Sequence, residues 1–193
     1  MQAFKIVTTS EGLMSLCSPK RVAPKLSSCA AACSGKEVMS DAYALNLVAG
    51  DYERGIKGMP QDFAKANELY LKAGELGCAE AYHNLGSSYY NGEGVEVDKK
   101  KAKHYLELAA MNGDIFARYN LGCLEGQTGN HHRAMKHFLL AARAGYKNSL
   151  DVVKDGFMDG FVTKDEYENT LRAYHERYNE MKSDTRDKAG ELD

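Results

Sequence analysis

The chain has no tryptophan, only three prolines, and no surplus of either charge: its 193 residues carry 25 Lys and Arg against 27 Asp and Glu, a net charge of −2. A protein with no cationic excess has no general means of neutralising phosphates, which sets nucleic-acid binding aside. Long apolar runs are missing as well. The longest, Phe138 to Ala142 and Cys29 to Cys33, fall far short of the roughly 20 residues that cross a bilayer. Cysteine is sparse and irregular. Five residues, at 17, 29, 33, 78 and 123, show no CxxC spacing and no neighbouring histidine, so neither a disulfide framework nor a zinc finger is expected. Reduced thiols in a cytoplasmic setting are the expectation. Residues 1–40, basic, Ser-rich and without hydrophobic periodicity, read as a flexible segment, with an organellar targeting role as the alternative.

What the sequence does contain is a repeat. A shift of 36 superposes Gly50 on Gly86, Gly58 on Gly94, Asp62 on Asp98, Lys65-Ala66 on Lys101-Ala102, Ala73 on Ala109 and Gly77 on Gly113. The same shift carries Ala81 and Asn84-Leu85-Gly86 onto Ala117 and Asn120-Leu121-Gly122. A shift of 32 then places Ala102 on Ala134, Leu106 on Phe138, Ala109-Ala110 on Ala141-Ala142 and Gly113 on Gly145, so four residues are missing from the third interhelical loop. Apolar residues within each unit recur at helical spacing, in two stripes. Asp62, Asp98 and Asn130 stand where a side chain accepts from free helix amides, and Gly77, Gly113 and Gly145 stand where a left-handed residue ends a helix. Each unit is thus a helical hairpin, and hairpins of this size must stack to cover their apolar faces.

The expected organisation is all-α: hairpins at about 45–80, 81–116 and 117–148, a degenerate fourth at 149–160, a capping helix at 161–182 and a charged tail at 183–193. Tyr167, Leu171, Tyr174, Tyr178 and Met181 share one face of that capping helix, suited to cover the last unit. Residues 155–166 partly fit a calcium-binding loop, but Phe157 occupies an oxygen-donor position, and Thr163 with Glu166 reads as a capping box instead. Six histidines fall at no spacing that pairs them on a helix face, and no nucleotide, nucleophile or metal motif occurs. No catalytic residue, cofactor or metal site is therefore expected. Lys99-Lys100-Lys101 opens a helix against its dipole, serving either solubility or an acidic surface on another protein.

The stretch AEAYHNLGSSYYNGEGVEVDKKKAKHYLELAAMNGD, with its NLG, its YxxGxGVxxD loop and its kA…AAxxG tail, resembles the Sel-1-like repeat family, relatives of tetratricopeptide repeats; the flanking units match less fully. The resemblance spans about 42–160 and implies a right-handed α/α superhelix. The C-terminal stretch is similar to microalgal members, whose preceding RING-type zinc domain has no counterpart in this sequence. The family implies a non-enzymatic adaptor, acting in complex assembly or protein quality control, that presents a concave groove to a peptide or helix of another protein. In such solenoids the first helix of each hairpin lines the groove, so His83, Ser87 and Tyr90, with Tyr119 and Cys123 at corresponding places, are expected to project together as binding residues, Tyr90 and Tyr119 having interhelical packing as their alternative role. A monomer is expected. The alternatives are a penicillin-binding hydrolase, as in cysteine-paired bacterial relatives, and a calcium-responsive module.

Overall fold

The computed structural model describes residues 36–190 apart from Lys57, and describes side chains over residues 41–182. The expectations for residues 1–35, including targeting, lie outside the described residues. Eight helices follow in order: α1 (Lys36–Arg54), α2 (Phe63–Glu75), α3 (Ala79–Asn91), α4 (Lys99–Met111), α5 (Ile115–Gln127), α6 (His131–Arg143), α7 (Lys147–Met158) and α8 (Lys164–Gly190). No strand occurs among the described residues. The first helix begins inside the expected flexible segment, and α8 runs on to Gly190, past the expected boundary at 182.

Local chemistry explains most boundaries. Asp62 Oδ1 accepts from the Lys65 amide at 2.9 Å, and Asp98 Oδ1 accepts from Lys100 and Lys101 at 2.9 and 3.0 Å. Asp114, which the repeat pattern did not single out, caps α5 by accepting from Ala117 at 2.6 Å. Asn130 departs from expectation. It makes no side-chain cap, because its amide donates instead to Glu125 Oε2 at 2.9 Å and to Thr128 Oγ1 at 3.1 Å. At the opposite ends, Gly77, Gly113 and Gly145 take φ of 98°, 91° and 95°. The following amides reach back five residues, as Cys78 does to Ala73 O at 3.0 Å, which satisfies carbonyls the helix leaves open.

Within the second and third hairpins the helices approach through glycine. A Cβ on Gly86 would sit 2.9 Å from Leu106 Cγ, and one on Gly122 would sit 2.6 Å from the Phe138 ring. The core is correspondingly built from small residues, with Ala49, Ala73, Ala81, Ala109, Ala117 and Ala141 fully enclosed around Leu106, Leu121 and Val153. It divides into three clusters, each bridging successive helices rather than one hairpin alone, as a stack of mutually covering units requires. The fourth hairpin closes the stack. Tyr167 stacks on Phe157 at 5.0 Å, and Thr170, fully enclosed, accepts from Arg143 Nε at 3.1 Å. The distal part of the capping face is less covered: Tyr178 is 47% exposed, although Met181 reaches over Gly145.

The joints between units differ in chemistry. Where the second unit meets the first, Tyr82 and Tyr105 stack at 6.1 Å, Tyr89 and Tyr105 stack at 5.5 Å, and the Tyr82 ring lies where a Cβ on Gly74 would stand. The same three repeat positions between the second and third units hold Arg118, His137 and Glu125. Glu125 is only 2% exposed. Its carboxylate accepts from Lys103 Nζ at 2.7 Å and from Asn130, with Arg133 Nε at 3.8 Å.

Candidate protein-interaction surface

The first helices of the hairpins are linked side by side through polar side chains. Asn84 Nδ2 on α3 donates to Asn46 Oδ1 on α1 at 3.3 Å. Between α3 and α5, Asn120 Nδ2 lies 3.0 Å from His83 Nε2, and the Tyr90 hydroxyl donates to Gln127 Oε1 at 3.0 Å. Rings continue the line: Phe116 lies 6.3 Å from His83 and 5.3 Å from Tyr146, and Tyr119 lies 5.2 Å from Tyr146. Amides, imidazole and aromatic rings therefore form one strip running from α3 to the start of α7.

The five expected binding residues take unequal places in it. His83 is 9% exposed, and its ring is held by Asn120, so it braces the strip rather than projecting from it. A helix position that looks free within one hairpin is covered by the next, and this is why the single-unit pattern misplaced it. Ser87 is half-buried and turns its hydroxyl back onto the His83 carbonyl at 3.1 Å. Tyr90 is half-buried against the cluster around Leu106 and Leu121, with Lys99 Nζ 5.9 Å from its ring centroid. Tyr119 and Cys123 are half-buried against the cluster around Phe138 and Val153. Tyr90 and Tyr119 thus pack between helices while keeping part of each ring in solvent. Phe116, Tyr146, Asn120 and Gln127 belong to the same strip and were not singled out from the sequence. The 36-residue shift already pairs Asn84 with Asn120, which was the available signal.

Electrostatics distinguish the two joints flanking this strip. Lys103's hydrogen bond, reinforced by Asn130 and the charges of Lys103 and Arg133, holds the Glu125 carboxyl below its ordinary range in spite of burial. Burial lowers the His137 imidazole, with Arg118 and Arg133 acting in the same direction; its Nδ1 has no hydrogen-bond acceptor or donor among the described residues. At the tyrosine joint, burial raises both Tyr82 and Tyr105. Near the end of α1, burial also raises Glu93, with the Glu53 carboxylate as the next cause.

Nothing in this geometry assembles a metal site: among the described residues no group of three or more His, Cys, Asp or Glu could hold an ion. In the 155–166 stretch, Glu166 Oε2 accepts from the Thr163 amide at 2.9 Å and from its hydroxyl at 2.8 Å, so this carboxylate is already engaged as a helix cap. No described helix is long and apolar enough to cross a membrane. Cys78 is buried and Cys123 half-buried.

These features define an all-α repeat solenoid whose linked first helices offer a continuous polar and aromatic strip. The chain belongs to the Sel1 repeat family, whose pattern matches residues 42–78, 79–114 and 115–146. Among curated proteins it is similar to an exopolysaccharide production negative regulator of Rhizobium meliloti, 35% identical over 51% of this chain and 38% of that protein. It is also similar to an ERAD-associated E3 ubiquitin-protein ligase component, HRD3B, of Arabidopsis thaliana, 35% identical over 42% of this chain and 12% of that protein. The chain therefore spans well under half the length of these relatives. Among solved structures, a Sel1 repeat protein of Oxalobacter formigenes superposes with a TM-score of 0.60, at 24% identity, over 70% of this chain and 58% of the other. A protective antigen of uropathogenic Escherichia coli with an SLR fold also gives 0.60, at 26% identity, over 72% and 30%.

Proposed function

We propose that this chain is a non-catalytic scaffold that holds a peptide segment or helix of another protein against the strip formed by α3, α5 and the start of α7. Sel1 repeat proteins are protein-interaction scaffolds. The observation that carries the reading here is the run of half-buried rings Tyr90, Phe116, Tyr119 and Tyr146, each partly exposed along the linked first helices. Such rings supply large contact area at low entropic cost. The sparse, irregularly spaced cysteines suit a reducing cytoplasmic setting, and the scaffold acts as a monomer in this reading. Assembly of a larger complex, including one in protein quality control, is the role that the Arabidopsis relative's description suggests. Affinity capture with the intact chain and with a Tyr90→Ala/Tyr119→Ala variant tests it, once circular dichroism shows both folded. Proteins retained by the first and lost by the second support the strip; identical captures refute it.

A further inference from the structure

We propose that the outer faces of α4 and α6 form a second docking surface, which takes an acidic polypeptide segment. The positive charge of this chain is not evenly spread. Helix α2 balances Lys65 and Lys72 with Glu68 and Glu75, and α7 balances Lys147 and Lys154 with Asp151 and Asp155. Helix α4 instead carries Lys99, Lys100, Lys101 and Lys103 against Glu107 alone, and α6 carries Arg133, Lys136 and Arg143 with no acid at all. The two basic helices converge: Lys103 from α4 and Arg133 from α6 both reach Glu125 Oε1, so their facing sides lie within one carboxylate's span. Lys99 and Lys101 are occupied over the Tyr90 and Tyr89 rings, and Arg143 holds Thr170. Lys100 and Lys136 are exposed, and their ammonium groups make no hydrogen bond or ion pair among the described residues.

Of these cations, Lys100 and Lys136 are the two exposed ones to which no partner is assigned above. Both helices lack an acidic residue in the first turn, where the macrodipole favours one, and put lysine, arginine or histidine there instead. Helices α2, α5 and α7 share that lack, so what sets α4 and α6 apart is the number of cations that no acid on the same helix balances. Carboxylates on a short extended segment complement this patch, because it is two helices wide and sits on a chain of net charge −2 with Glu96 and Asp98 just before α4. A continuous phosphodiester track or a broad anionic membrane would meet those acids as well.

The test titrates the isotopically labelled chain with an oligoglutamate peptide and follows amide shifts by NMR. Shifts confined to α4 and α6, fading as NaCl rises from about 0.05 to about 0.5 M, are expected. A Lys100→Glu/Lys136→Glu variant, with Lys100→Gln/Lys136→Gln as a milder companion, should weaken binding by on the order of tenfold. A Phe116→Ala variant, which alters the strip at a ring whose contacts are His83 and Tyr146, should bind the peptide unchanged, which separates this surface from the strip on α3 and α5. Shifts that also spread over the lysines of α2 and α7, or undiminished binding by the charge-reversed variant, would overturn the proposal. So would sedimentation with phosphatidylserine vesicles in the absence of any peptide response.

Discussion

The joint between the first and second units and the joint between the second and third occupy the same three repeat positions with opposite chemistry. Tyr82, Tyr105 and Tyr89 form a stack of neutral rings, whereas Arg118 and His137, with Lys103 and Arg133, surround the buried carboxylate of Glu125. Contacts in a solenoid are local, so each joint needs only to fill its own space and satisfy its own polar groups. The loop lengths show how each was solved. In the second unit the long loop folds back onto the first: Asn67 Nδ2 donates to the Glu93 carbonyl at 2.7 Å, and Gly94 presses on Phe63 so closely that a Cβ would lie 2.6 Å away. In the third unit, four residues shorter, Asn130 sits near enough to hold Glu125, and the helix gives up its side-chain cap. A buried carboxylate is tolerated there because three groups compensate it.

The largest expected effect breaks the aromatic joint. Tyr105→Ala removes the central ring and should cost about 3 kcal/mol in denaturant unfolding, while His137→Ala at the equivalent place should cost about 1 kcal/mol or less. Equal losses would mean the joints do not differ in kind. Next, Lys103→Met leaves Glu125 short of its nearest counter-charge and should cost about 2 kcal/mol; adding Glu125→Met should restore part of that stability. A double variant less stable than the single would show that Asn130 and Arg133 compensate Glu125 without Lys103.

The two joints should also fail at opposite ends of the pH scale. Glu125 and His137 both have lowered values in the fold, so the stability they supply is present above their unfolded values, about 4.3 and about 6.5, and is lost as pH falls. Tyr82 and Tyr105 are raised, so their contribution is present below about 10 and is lost as pH climbs past it. Hydrogen exchange should show the α5 and α6 amides opening first in acid and the α3 and α4 amides opening first in alkali. The reverse order would contradict the assignment. The smallest effect is Tyr90→Phe, which removes an exposed hydrogen bond to Gln127 and should change stability by no more than about 0.5 kcal/mol, keeping the strip's shape for binding comparisons.

Much of the architecture was legible in one sequence because repeat units carry their own punctuation. The aspartates at 62 and 98 and the glycines at 77, 113 and 145 act within a few residues of themselves, so their roles follow from spacing alone. The capping box of Thr163 and Glu166 was equally readable, being contained in one helical turn. His83 and Asn130 were misplaced because their side chains answer to residues in other helices or turns, Asn120 in one case and Glu125 in the other. Glu125 itself gave no sign of burial: a charged residue at a position held by tyrosine in the unit before it reads as solvent-facing until the neighbouring lysine and arginine are in place.

By itself the sequence determined the hairpins, their order and their need for one another, since helix periodicity, caps and the crowding that glycine relieves are set by neighbours along the chain. Tertiary structure alone decided which polar groups were enclosed at each joint and which rings stayed partly in water. Those outcomes depend on side chains of different helices meeting, as Lys103 and Glu125 do from 22 residues apart, where desolvation and compensation are fixed together.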